Sequence, residues 1–206
     1  PIAANARLVH YTDIAKGSYD NVVTIPNPND FELTPSDFGT ITGTYHVLPS
    51  GADIGSKTAE TLSLGTIYVD IPKVSLDVVL QKSQIDSVNG KTVTRDNELA
   101  FKLQNNLGGF SEVINGTVAN PLPDDNYLAQ PKMKIEVTLP GGGVTTKFGT
   151  QPLKNLPANG TTVYVENIKL KDEKAGKYTA VAKWPSSGPG ASFYGKNYDS
   201  NPVTFE

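Results

Sequence analysis

The 206 residues leave room for one large domain or two small ones with a real core. With 18 basic and 21 acidic residues the net charge is −3, which provides neither a basic footprint for nucleic acid nor an acidic tail. Zero Cys excludes disulfides, zinc–thiolate clusters and thiol catalysis. Two His leave little for metal ligation or general base chemistry, so no cofactor is expected and an enzyme is a minority reading.

The longest aliphatic run is Val78-Val79-Leu80, far below the roughly 18 residues that a bilayer helix needs. No charged-then-apolar leader precedes Pro1, so the chain reads as processed or trimmed. Nineteen Gly and 15 Pro punctuate the sequence and disfavour long helices. Short alternating or β-rich runs lie at residues 7–11, 21–25, 31–33, 44–48, 66–71, 74–80, 99–103, 133–139, 144–148, 162–165, 178–184 and 203–205. The fold class is therefore all-β, with at least about 35% strand and under about 10% helix. Residues 56–64 alone suggest a short helix, with Ala59, Leu62 and Leu64 on one face.

Turn chemistry is explicit at two places. Asn89-Gly90 lies between β-branched flanks, a strong hairpin signal, and predicts strands that pair across it. Leu139-Pro140-Gly141-Gly142-Gly143-Val144 joins two alternating runs; no Lys-Ser/Thr and no helix follow, so it reads as a hairpin loop and not a phosphate cradle.

The chain also echoes itself. Gly43-Thr44-Tyr45-His46-Val47-Leu48 is similar to Gly176-Lys177-Tyr178-Thr179-Ala180-Val181, and a last strand follows each. A Tyr entering a late strand behind a Gly-containing corner is the pattern of a tyrosine corner, the hydroxyl bonding upstream backbone while the ring packs in the core. The repetition predicts two immunoglobulin-like β-sandwich units in tandem, residues 1–72 and 73–206. The second has seven strands and a long loop at 107–132. The first is short for a closed sandwich and leaves edges that something must cover.

Chemistry-bearing residues are sparse. Asp124-Asp125 lie in a Pro-rich loop without the spacing of a calcium loop, and Asp70 and Asp77 alternate with apolar residues as solvent-facing strand positions would. His10 and His46 sit in strand-like runs with no Gly-x-Ser-x-Gly elbow. The Ser- and Gly-rich stretch at 186–192 reads as a loop, and Trp184, Phe193, Tyr194 and Tyr198 surround it. Those rings are candidate contacts for a sugar or a partner, against the alternative that they pack over the end of the sandwich. Asn115-Gly116-Thr117 and Asn159-Gly160-Thr161 are sequons, so Asn115 and Asn159 are candidate glycosylation sites in keeping with an exported protein.

Several segments together resemble a known family: residues 35–45, 70–78, 90–95 with 99–107, and 176–181. In this order they are similar to a β-rich domain of unknown function in exported surface proteins of methanogenic archaea, over about residues 30–206. The chain departs from that pattern in its first 25 residues and at Tyr45-His46. The resemblance implies a cell-envelope protein of S-layer or sheath type and carries over no catalytic residue.

The expectation is an exported, extracellular structural subunit of a sheath, S-layer or filament, without catalysis, whose partner is itself, with other envelope proteins or glycans as further candidates. Edge-strand pairing and face packing would join copies. The candidate assembly strand is Arg7, Leu8, Val9, His10 and Tyr11, donated from the short first unit. The rival expectation is a sugar-binding or adhesin module using the aromatic loop.

Overall fold

The computed structural model describes residues 2–31, 33–56, 62–107, 132–158, 160–184 and 198–206. Strands account for 46% of the structure and helices for 4%, so the protein is all-β. No helix among the described residues is long and apolar enough to cross a membrane. The chain divides into two compact units, Pro1–Ile71 and Pro72–Glu206.

Unit 1 contains β1 (Ala6–Asp13), β2 (Ser18–Ile25), a one-turn helix α1 (Pro35–Phe38), β3 (Gly43–Leu48) and β4 (Thr66–Val69). The strands form one antiparallel sheet in the order β2-β1-β3-β4. A 3-10 turn at Ile14–Lys16 closes the β1–β2 hairpin, and Gly17 at φ 68 reverses the chain there. Alternation puts Leu8, Val23, Ile25, Tyr45 and Val47 on one face, where Phe31, Phe38 and Ile41 cover them. Val9 and Leu48 occupy the other face beneath Ala52 and Ile54.

Two expectations for this unit are corrected. Among the described residues it is a single sheet with loops on both faces, and no second sheet faces it. The connections from β2 to β3 and from β3 to β4 supply the covering layers that a second sheet would have supplied. The strand expected at 31–33 is absent at Phe31 and Leu33, because Phe31 is used to cover the sheet and Thr34 starts α1. Asp37 caps the start of α1: its carboxylate accepts from the Thr34 N–H at 2.7 Å and from the Thr34 hydroxyl at 2.8 Å, one half of a capping box. Of the helix expected at 56–64, residues 57–61 lie outside the described residues; Leu62 and Leu64 are exposed and pack no face.

Unit 2 is sandwich-like. Its strands are β5 (Val74–Leu80), β6 (Glu98–Asn105), β7 (Lys132–Thr138), β8 (Val144–Thr145), β9 (Lys147–Phe148), β10 (Gln151–Pro152), β11 (Leu156–Pro157), β12 (Val163–Lys169), β13 (Tyr178–Lys183) and β14 (Val203–Phe205). One sheet runs β12-β6-β5; the other runs β11-β7-β13-β14, with β8 also on β7; β9 and β10 pair separately. Period-two alternation on β6, β7 and β13 aims Leu99, Phe101 and Leu103, then Met133, Ile135 and Val137, then Tyr178, Ala180 and Ala182, into one shared core. Phe101 lies edge-on to Phe148 at 6.4 Å and to Phe205 at 6.3 Å, and Tyr178 stacks on Phe205 at 5.2 Å. Each large side chain buried this way contributes about 1.5–3 kcal/mol.

The two echoed corners are built alike. Gly43 has φ 134 and Gly176 has φ 133, so the chain enters β3 and β13 through a backbone conformation that favours glycine. Two residues later Tyr45 and Tyr178 are buried, and each hydroxyl donates to the carbonyl four residues upstream, on Ile41 at 3.2 Å and on Lys174. Each corner strand also lies third in its sheet, flanked by a strand of the preceding ladder and by the last strand of the unit.

The hairpin expected at 139–144 is present: Leu139 donates to Gly143 at 2.7 Å, and β7 pairs β8 beyond it. The one expected at Asn89-Gly90 is corrected. A turn is there, with Lys91 N–H on the Val88 carbonyl at 2.9 Å and Gly90 at φ 73, but its flanks pair with different strands. Val88 donates to Val78 of β5 at 2.8 Å, whereas Lys91 bridges Phe205 of β14 in parallel. The turn carries the chain from one sheet of the sandwich to the other. Most of the expected 107–132 loop, residues 108–131, lies outside the described residues.

Candidate functional site

The candidate assembly strand is held inside its sheet. Arg7, Leu8, Val9 and His10 are paired with β2 on one side and β3 on the other, and Tyr11 is paired with Tyr19 of β2. Within its own chain β1 is therefore a central strand with no free edge. The side chains serve unit 1 itself. The Arg7 guanidinium donates to the Ala52 carbonyl and the Tyr11 hydroxyl donates to Ile54 at 3.0 Å, which ties the covering loop to the sheet.

His10 Nδ1 lies 2.6 Å from an Asp20 carboxylate oxygen, and its ring is 5.2 Å from that of Tyr45. Asn21 Nδ2 donates to the Tyr45 hydroxyl at 2.9 Å and to the Asp37 carbonyl at 3.2 Å. An acid–imidazole pair prepares a base only when a nucleophile stands within hydrogen-bond reach of the other ring nitrogen. Here Nε2 faces Gly43, where an added Cβ would come within 2.6 Å. The network therefore fastens the corner of β3 to β2 and α1. His46, on the opposite face, packs edge-on to Tyr11 at 5.7 Å. Among the described residues no group of three or more His, Asp or Glu is placed to hold a metal. Asp124 and Asp125 lie outside them. Asp77 accepts from the Ser87 hydroxyl at 2.7 Å and helps hold the segment after β5.

The aromatic end of unit 2 is also rearranged. Trp184 continues the inward alternation of β13 and is 6% exposed, so it offers no open face to a sugar. Tyr198 packs against it at 5.2 Å. Asp199 fixes the return of the chain by accepting from Trp184 N–H at 2.9 Å and from Lys183 Nζ at 2.6 Å. That hydrogen bond raises the Lys183 pKa above its ordinary value, with burial opposing it. Phe193, Tyr194, Asn115 and Asn159 fall outside the described residues.

Sheet edges distinguish the units. In unit 2 the segment 86–93 lines two of them. The Asp86 carbonyl accepts from Leu80 of β5 and Val88 donates to Val78 of β5, while Gly90, Lys91 and Val93 bond along β14 through Thr204 and Glu206. The edge strand β12 is interrupted by a bulge between Val165 and Ile168, with Asn167 at φ 61. Gln81 accepts from the Asn167 N–H there at 2.6 Å. The edge strands β8 and β11 are two residues each.

In unit 1 the edges are β2, eight residues long, and β4. Neither contains Lys or Pro, residues that commonly blunt an edge, and neither has an outer strand partner among the described residues, although the β1–β2 ladder shifts register at Asp20 and at Thr12. Asp20 is the one carboxylate on them, and it is engaged by His10.

No curated protein matches the chain. The model of one family covers residues 5–188, and on that match the chain belongs to the domain of unknown function DUF3821.

Proposed function

We propose that this chain is a non-catalytic structural subunit of an extracellular cell-envelope assembly, a sheath, S-layer or filament, in which copies join through β-edges and faces. We also read unit 2 as immunoglobulin-like. Its β5-β6-β12 sheet and its β8-β7-β13-β14 sheet correspond in order to the two sheets of that sandwich, with Tyr178 as the corner residue.

One observation carries the assembly reading. The two open edges of unit 1 run in opposite directions: along the order β2-β1-β3-β4 every neighbour is antiparallel, so β2 and β4 oppose each other. A second unit 1 set beside the first without inversion then brings its β4 antiparallel to β2. Such a contact is head-to-tail, leaves one edge free at each end, and grows as an open polymer unless its rotation closes. Backbone hydrogen bonds would supply affinity and the alternating side chains would supply register.

Negative-stain images of envelope material containing the chain test this reading. Ordered sheets, tubes or filaments in which the chain is abundant are expected. A chain that is sparse in that material and stays at single-chain mass in concentrated solution under envelope-like salt overturns it.

A further inference from the structure

We propose that the outer edge of β2 receives β4 of a second copy of this chain, antiparallel, in the register that sets Tyr68 of one copy beside Tyr19 of the other. The inference rests on the assembly reading above and names its interface.

Side chains fix the register. On β2, Tyr19 is paired with Tyr11 of β1 just past the register shift at Asp20, and their rings are 6.4 Å apart. On β3, Thr44 is paired with Tyr68 of β4, and Thr44 lies one rung beyond the His10–Tyr45 pair, level with Tyr11. Tyr19, Tyr11, Thr44 and Tyr68 therefore form one row across one face of the sheet. The row begins and ends in tyrosines that are 45% and 73% exposed. Repeating the sheet along this row places an exposed Tyr68 directly against an exposed Tyr19, and aromatic cross-strand pairs of this kind stabilise a ladder.

Charge agrees with the same register. β4 carries no charge, and the Asp20 carboxylate of β2 is turned to the opposite face, onto His10. No like charges meet along the ladder.

The chain has no cysteine, so two single substitutions read the interface directly. Tyr19→Cys and Tyr68→Cys are prepared separately in the full chain, mixed in equal amounts, concentrated, oxidised gently and weighed by intact mass. Residues directly opposite in an antiparallel ladder have Cα atoms about 4.5–5.5 Å apart, within disulfide reach. The expected product is the mixed disulfide, in roughly tenfold excess over either homodimer. Both positions are exposed, and each variant should melt with the parent, which separates a failed cross-link from a failed fold.

Homodimers of Tyr19→Cys in excess would mean two-fold pairing of β2 with β2 and would overturn the proposal, as would a statistical mixture or no cross-link. Light scattering on the parent chain separates the failures. If its mass grows with concentration while the mixed disulfide is missing, the register is wrong and the assembly reading stands. If its mass stays at one chain, both fall.

Discussion

Unit 1 and unit 2 use the same corner and finish their sheets differently. In both, a glycine at φ near 133 leads into a buried tyrosine whose hydroxyl is bonded four residues back. Unit 2 lays a second sheet over the core and lines its edges with the segment 86–93, a bulge at Asn167 and very short strands. Unit 1 covers both faces of one sheet with loops and leaves β2, whose register shifts at Asp20, and β4 without an outer strand partner among the described residues. A corner motif thus sets how a late strand enters a sheet, while the covering of faces and edges is decided by the connections.

The largest effects should come from emptying the corners. Tyr45→Ala and Tyr178→Ala each remove a buried ring, and each should lower unfolding stability by about 3–5 kcal/mol in denaturant titrations. An unchanged midpoint for either would break the equivalence of the two corners. Next come the glycines. Gly43→Ala and Gly176→Ala force a side chain into a positive φ and place Cβ 2.6 Å from His10 Nε2 and 2.9 Å from Pro140 Cβ. A loss of about 1–3 kcal/mol is expected at each, measured the same way.

Removing only the hydroxyls sharpens the comparison. The Tyr45 hydroxyl accepts from Asn21 and donates to Ile41, whereas the Tyr178 hydroxyl is bonded to Lys174. Tyr45→Phe strands an amide as well as a carbonyl, so it should cost about 2 kcal/mol against about 1 kcal/mol for Tyr178→Phe. Equal losses would mean that the Asn21 contact contributes nothing.

The smallest effect concerns alkaline pH. Burial pushes the phenol of Tyr178 above its ordinary value of 10.0, with Glu173 adding to it and Arg95 opposing. Burial also raises Tyr11, opposed by Arg7. A raised folded-state pKa means that the protonated form is favoured by folding. Its stability contribution is complete below pH 10 and is lost as pH rises through the folded value. Melting between pH 8 and pH 11 should show that loss, and Tyr178→Phe and Tyr11→Phe should each flatten it. A variant as steep as the parent would show that its tyrosine stays protonated or is equally exposed in both states.

Much of the strand pattern was legible because alternation is local: β1, β3, β5, β6, β7, β13 and β14 lie where period-two runs predict them. The corner residues were legible because Gly-x-Tyr recurs with matching surroundings. The burial of Trp184 was available in the same alternation, since Tyr178, Ala180, Ala182 and Trp184 share one parity. The start of α1 is spelled by Thr34-Pro35-Ser36-Asp37, directly after the strand expected at 31–33. Partner choice was not legible. Asn89-Gly90 specifies a reversal but not that Val88 bonds β5 while Lys91 bonds the distant β14. Whether residues 7–11 lie at an edge or in the middle depends equally on where β3 docks, a contact across nearly forty residues of chain.

The central claim is that unit 1 keeps an edge ready for another copy and unit 2 does not. Amide hydrogen exchange of the full chain, compared between dilute and concentrated solution, tests it most directly. Slowed exchange confined to β2 and β4, with β5, β12 and β14 unchanged, is the result this account predicts. Exchange in β2 and β4 that does not respond to concentration, or protection that grows instead along the edges of unit 2, would contradict it.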